Sequence, residues 1–464
     1  MTYSVVTPEI IDKLSSIVGV ENISLDAEHL EKHSVDESPL HPHRPELIIM
    51  PESTDQVSQI MKLANKHKIP VTPQGSRTGL SGGSHPISGG IALSMERMNR
   101  IKEIDEDNLM AVVEPGLLIM NLHEETEKLG LLYPPDPGEG TGTLGGNINT
   151  NAGGMRAIKY GVTRDFVNGL TLVTPTGDIL VMGGKNVKDS TGYSLIDLIV
   201  GSEGTLGVVT EATLRLVPKP RYTALIYAPF NSIDDAARAV SEIIKRKVMP
   251  YALEFLTQVA VQTIERYLER NLPDNQHAAY LMIGVESNTS EELEQALITA
   301  GEACIDLGAA DAFIADTEKK QADLWEARKS VADALDAFYD VDEADICIPR
   351  SRIPEFIEKA MPIGKKYDIT IVPLGHAGDG NIHVNVLRHN QTENEWLETI
   401  ENSMRDLIEL SISLGGTVSG EHGLGYTKKH FLPLKVGKQQ IAIMKGIKKV
   451  FDPNDIMNPG KVLP

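Results

Sequence analysis

Apolar residues over positions 1–220 recur in two rhythms, every third or fourth residue and every second, so this part of the chain reads as alternating helices and strands. In PESTDQVSQIMKLANKHKIPVTP, Ser53 and Gln56 have the spacing of a capping box, and Val57, Ile60, Met61 and Ala64 follow at helical intervals. A strand is expected next, over 69–72. Further strand-like runs are GIALSM (90–95), AVVEPG (111–116) and LTLVTPTGDILVM, where 175–178 has the composition of a turn between two strands. LLIMNLHEETEKLG reads as a helix stopped at Gly130.

Past RLVPKP (215–220) the texture changes. Longer amphipathic helices appear, SIDDAARAVSEIIKRK and TENEWLETIENSMRDLIELSISLG, with short strands such as YLMIGVES (280–287), and they mark a second domain. The stretch FDPNDIMNPGKVLP is extended and proline-punctuated, which suits packing back across an existing surface. At 464 residues the chain is long enough for two or three domains of roughly 100–200 residues each.

Charge and cysteine content narrow the classes. With 44 basic and 65 acidic residues the net charge is -21, which repels polyanions and argues against nucleic-acid binding. Cys304 and Cys347 are too few for a disulfide framework or for an iron–sulfur cluster within this chain, and a reducing, cytoplasmic setting fits. MTYSVVTPEIIDKLSSIVGV lacks a basic region followed by an apolar one, and no run of about 18 uncharged apolar residues occurs. The chain is not expected to enter a membrane unaided. Peripheral attachment to the inner face through a partner leaves no such mark and stays open, as does a homodimer.

Glycine is concentrated at 75–90, 138–161 and 201–207, where backbone can approach a ligand closely. PQGSRTGLSGG (73–83) could form an anion-binding nest for a pyrophosphate, or be a plain surface loop. It contains no G-K-[ST] and is not a strand-G-x-G-x-x-G-helix, so an NTPase or a nicotinamide Rossmann enzyme is disfavoured.

TIVPLGHAGDGNIHVNVL reads as strand, tight turn over 377–381, and strand. Alternation puts His383 and Asn385 on one face and Val384 and Val386 on the other, and His376 could face His383 across the hairpin. Two imidazoles held this way, with Glu421 from SGEHGLG as a carboxylate, would make a divalent metal site with open positions. Taken alone, the same histidines read more readily as turn and strand residues satisfied by ordinary hydrogen bonds.

Five ordered motifs, TLGGNINTNAGG, GSEGTLGVVTEA, GHAGDGNIHVNV, SGEHGLG and FDPNDIMNPGK, resemble those of the FAD-linked 2-hydroxyacid dehydrogenases related to vanillyl-alcohol oxidase, in particular the glycolate oxidase flavin subunit and D-lactate dehydrogenase type. The resemblance runs from about residue 40 onward. It implies an α+β protein with a two-part FAD-binding domain of the vanillyl-alcohol oxidase type, residues 1–220 completed by 425–464. It further implies an α+β cap domain on an antiparallel sheet, residues 221–424. The pyrophosphate loop would be Gly75, Ser76, Arg77, Thr78, Gly79 and Leu80. Pro135, Thr143, Gly145, Gly146, Thr150, Gly154, Gly161, Glu203, Gly204, Val209 and Asn458 would add contacts to FAD. Some relatives attach FAD through a histidine in the first loop. None lies between Gly75 and Gly83, and His85 falls beyond the turn, so noncovalent FAD is expected.

The resemblance also assigns roles. His376, His383 and Glu421 would hold a divalent metal (Zn, Mn or Fe), and His422 would act as base, although Glu421 and His422 are neighbours and could exchange roles. Arg328 in DLWEARKSVADAL would bind the substrate carboxylate, for which a guanidinium offers bidentate geometry, and Asn385 joins it and His422 as a candidate catalytic side chain. Some D-2-hydroxyglutarate enzymes carry further basic and hydroxyl groups downstream. Here VADALDAFYDVDEADICIP supplies Asp333, Asp336, Asp340, Asp342, Glu343 and Asp345 and no cation, which favours glycolate or D-lactate. Electrons would pass to a separate acceptor: an iron–sulfur subunit, a quinone or an electron-transfer flavoprotein. The rivals are D-2-hydroxyglutarate oxidation, a non-catalytic flavin subunit of a complex, and a sugar-nucleotide binder without flavin.

Overall fold

Helix Thr54–His67 shows how the pattern becomes structure in the computed structural model, which describes residues 3–464. The Ser53 hydroxyl accepts the Gln56 N–H, while the Gln56 side chain reaches back to the Glu52 N–H, one residue before the position a capping box uses. Val57, Ile60 and Met61 are fully buried, each contributing about 1.5–3 kcal/mol of apolar burial. The helix ends at Lys68 in the left-handed region (φ 53°), and the Ile69 N–H returns to the Ala64 carbonyl. Pro70 has no N–H to offer. The strand expected over 69–72 is therefore displaced to Val71–Gln74.

The chain divides into two units. The first holds the residues up to Gly153, Val162–Lys219 and His422–Pro464; the second holds Gly154–Gly161 and Pro220–Glu421. In the first unit a four-stranded sheet runs in the order Ile23–Ser24, Leu47–Ile49, Ile91–Ser94, Val71–Gln74, with its last three strands parallel. Pro73 suits the edge position of Val71–Gln74. The open edge is met by the C-terminal segment: the Val71 N–H donates to the Ile456 carbonyl, and the Asn458 N–H to the Val71 carbonyl. Ile456 and Met457 are fully buried in the same core as Val57 and Ile60. A second, antiparallel sheet has the order Ile101–Asp105, Met110–Val113, Val208–Arg215, Val167–Val173, Ile179–Gly183.

The second unit is built on a seven-stranded antiparallel sheet. Its order is Phe313–Ala315, Tyr222–Phe230, Ala279–Ser287, Ala252–Thr257, Thr370–His376, Asn381–Leu387, Val341–Cys347. Helices Gln258–Leu268, Glu318–Lys329 and Val331–Phe338 supply Ile264, Leu324 and Leu335 to a core that includes Leu256, Val372 and Leu374 of the sheet. The stretch around Arg328 is two helices that part at Ser330, and Arg328 lies in the last turn of the first. Among the described residues no helix is long and apolar enough to cross a membrane.

Candidate functional site

Strand alternation decides which side chains meet in the second unit. Ala252, Leu256, Val372, Leu374 and Leu387 belong to one apolar core, so Glu254, His376, His383 and Asn385, at even offsets on the same three strands, point to that face. Phe255 lies opposite Gly375, which sets Glu254 directly across from His376. His376 pairs with Asn381 and His383 with Leu374, so the two histidines are diagonal neighbours. Their ring centroids are 5.3 Å apart.

Both rings turn Nε2 toward one oxygen. Glu421 Oε1 lies 3.5 Å from His376 Nε2 and 3.4 Å from His383 Nε2. Each Nδ1 has a carboxylate of its own. His376 Nδ1 is 2.9 and 2.8 Å from the two oxygens of Glu254, and His383 Nδ1 is 3.0 Å from Glu343. An ionised carboxylate only accepts, so Nδ1 carries a proton in both rings, and Nε2 presents its lone pair once a cation replaces the proton that Glu421 favours there. Burial opposes charge on the rings, yet Glu254 and Glu421 hold His376 well above the usual histidine range, and Glu343 and Glu421 raise His383. The pocket favours positive charge. Three ligand atoms from His376, His383 and Glu421, within 4.8 Å of one another and oriented by second carboxylates, fit a divalent ion with open positions.

Arg328 reaches the same cluster. Its Nε donates to Glu254 Oε2 at 2.7 Å. Nη2 is also 2.7 Å from that oxygen, but it is buried and off the direction of a hydrogen bond. A buried donor in this state calls for an acceptor. Asn385, also buried, contributes a neutral amide whose Nδ2 donates, at a long 3.4 Å, to the Val372 carbonyl.

Asp345, fully buried, fixes the Glu421 backbone: one oxygen accepts from Asn381 Nδ2 (2.7 Å), the other from Ser419 Oγ (2.8 Å) and the Gly420 and Glu421 N–H groups (2.9 Å each). Only glycine fits at 420, because a Cβ would lie 2.0 Å from Asn381 Nδ2. His422 follows in the chain and opens the last segment of the first unit.

In the first unit the glycine clusters meet. A Cβ on Gly75 would lie 2.1 Å from Thr143 Oγ1, and that hydroxyl accepts the Gly146 N–H at the start of helix Leu144–Thr150. Without a Cβ at 75 the first loop can close on Thr143 beside a helix N-terminus, and glycine-rich backbone of this kind suits a pyrophosphate. Asn149, unremarked in the sequence, bonds the Gly145 carbonyl and the Gly204 N–H. Asn458 donates to the Gly83 and Glu203 carbonyls. The Glu203 carboxylate accepts the Leu424 and Gly425 N–H groups at 2.8 and 2.7 Å, and burial pushes its carboxyl up despite them. Arg77 turns its Nη1 to Glu96. Ser76, Thr78, Gly79 and Leu80 complete the first loop, Leu80 being exposed, and the Thr150 hydroxyl donates to the Gly146 carbonyl one turn back in its own helix. The Pro135 carbonyl bonds His123, and Val209 is buried in strand Val208–Arg215. Gly154 and Gly161 belong to the second unit.

Residues 219–462 match the family model of the C-terminal domain of FAD linked oxidases, and residues 45–183 match an FAD binding domain. The chain belongs to the FAD-linked oxidases. This oxidase is 39% identical to a D-lactate dehydrogenase of Anaerostipes hadrus, over 99% of this chain and 98% of that one. It is 40% identical to a glycolate oxidase subunit of Bacillus subtilis (strain 168), over 98% and 97%. p-Cresol methylhydroxylase shares the fold, with a TM-score of 0.81 at 17% identity over 97% of this chain and 96% of that one. The fold is that of the vanillyl-alcohol oxidase type.

Glu254 and the inward turn of Asp345 escape a sequence reading of this oxidase. The available signal was a lone acid inside an apolar strand, YALEFLTQ, since a buried carboxylate needs partners. Asp345→Asn puts an amide donor against either the backbone N–H groups or Asn381 Nδ2. A loss of roughly 2–3 kcal/mol is expected, measured as a lower urea midpoint of the FAD-loaded protein.

Proposed function

We propose that this FAD-linked oxidase converts a small D-2-hydroxy acid, glycolate or D-lactate, to the 2-oxo acid. The observation that carries the reading is the convergence of both Nε2 atoms on Glu421 Oε1, with the partly engaged guanidinium of Arg328 one carboxylate away. His376, His383 and Glu421 would hold a divalent ion, Zn, Mn or Fe. When bound, FAD supplies the two-electron acceptor and the ion a Lewis acid that lowers the hydroxyl pKa.

The protein side chains then have separate tasks. Arg328 binds the substrate carboxylate through the donors that Glu254 leaves over. Asn385 orients the substrate from the same face of the sheet. His422 takes the hydroxyl proton as the α-hydrogen leaves with its electron pair, a task suited to neutral imidazole. The acids around the cluster argue against a second substrate carboxylate: Glu343 touches His383, and burial together with Asp333 and Glu343 raises Asp336. Noncovalent FAD is supported by His85, whose ring is fully buried with Nε2 3.0 Å from Asp36. Burial pushes both thiols up to about 12, so neither cysteine is a ready redox group. Electrons therefore go to a separate acceptor, an iron–sulfur subunit, a quinone or an electron-transfer flavoprotein, and the unpaired cysteines suit a cytoplasmic setting.

Anaerobic addition of glycolate, D-lactate, L-lactate and D-2-hydroxyglutarate to the yellow protein tests the reading. Bleaching of the flavin by glycolate or D-lactate is expected. Bleaching by D-2-hydroxyglutarate alone would overturn the monocarboxylate assignment, and a flavin that none of the four reduces would favour a scaffolding role.

A further inference from the structure

Glu254 holds a place that neither the metal nor the substrate alone explains. It is a carboxylate with no exposed surface, on a central strand, and it contacts the two groups on which the proposed chemistry depends. Both of its oxygens lie within 2.9 Å of His376 Nδ1, and Oε2 also accepts from Arg328 Nε at 2.7 Å. These partners stand 122 and 74 positions away in the chain. A charge taken out of water at this depth persists only where its hydrogen bonds are made.

We infer that Glu254 is a positioning residue that uses one carboxylate to set both the tautomer of the ion ligand His376 and the orientation of the substrate-binding Arg328. The inference rests on the function proposed above and goes beyond its list of ligands. An acceptor-only group at Nδ1 keeps the proton there and leaves Nε2 free to ligate. The same group occupies the Nε side of Arg328, so the guanidinium meets a carboxylate with its remaining donors already aimed. Glu343 performs the first task for His383. Glu254 performs both.

Glu254→Gln tests this with almost no change in volume. A glutamine offers one acceptor oxygen and one amide donor to a site that presents two donors. The amide donor faces one of the two and the single neutral oxygen left over holds the other less firmly, so Arg328 loses its aim and His376 is free to shift its proton to Nε2, where it blocks the ion. The first measurement is calorimetric titration of FAD-loaded, chelator-stripped protein with Mn²⁺ or Zn²⁺ alone, which needs no turnover. The second is KM and kcat for the acid that bleaches the flavin, at saturating ion.

The expected result is an ion affinity about 10–100-fold weaker than wild type, the range typical of losing such a partner, together with a raised KM. Wild-type values in both assays overturn the inference, and so does a change in only one of them, because the carboxylate is then not shared. Wild-type protein that takes up no divalent ion overturns the metal reading itself; this failure is distinct because it appears before any substitution is made. If Glu254→Gln loses FAD or unfolds, Glu254→Asp keeps two acceptor oxygens but draws them back by one methylene. It is read in the same two assays, and wild-type behaviour in both again overturns the inference.

Discussion

His422→Ala is expected to keep its FAD and its colour while the flavin is reduced by substrate about 10²–10⁴-fold more slowly, the usual range for a general base. Retention of the cofactor follows from how the loop is held. Beyond His422, the Leu424 and Gly425 N–H groups are fastened to Glu203, and Tyr426 donates its N–H to the Ser81 carbonyl. None of these bonds involves the imidazole. Stopped-flow absorbance under anaerobic conditions separates the two quantities. An unchanged reduction rate in His422→Ala, with a dead Glu421→Gln that still takes up its ion, would transfer the base role to Glu421.

Removal of the ion should have an effect of similar size. Stripping with a chelator is expected to slow flavin reduction at least 10²-fold, since Lewis-acid stabilisation of several kcal/mol corresponds to about tenfold per 1.4 kcal/mol. Adding back Mn²⁺, Zn²⁺ or Fe²⁺ restores the rate in wild-type protein. In Glu421→Gln it does not, because Oε1 is the atom on which both Nε2 atoms converge, at 3.5 and 3.4 Å, and an amide oxygen brings no charge to the centre. Full activity in demonstrably metal-free protein would sink the ion's role.

What could be seen in the sequence follows the distance over which each signal acts. The hairpin of His376 and His383 is local, and its turn and alternation are written within a dozen residues. The helix at 54–67 is local too, and even its error at 69–72 has a local cause in Lys68 and Pro70. The partners of Glu254 are legible only once the strand order is known, because strand Ala252–Thr257 neighbours Thr370–His376 in space and not in sequence. The acids near 340 posed the same problem. As a run they gave no hint that Asp345 turns inward to hold the Glu421 backbone while Asp340 stays at the surface with Arg388. The glycine clusters were visible as composition, but the contact of Gly75 with Thr143 depends on two loops folding together.

The pairing of Val71 with Ile456 and Asn458 also sets an order of assembly. On the ribosome, Ile456 and Met457 are added only after every residue of the second unit has been made, yet they fill the core that Val57 and Ile60 begin. The second unit can therefore complete its sheet during synthesis, whereas the first waits half-built with one sheet edge open. Domains generally fold as units while the chain is elongating, and such an unpaired edge is where nascent chains aggregate. For the first unit, folding and FAD capture come late in translation, and chaperone protection is needed most in the interval before the C-terminal segment arrives.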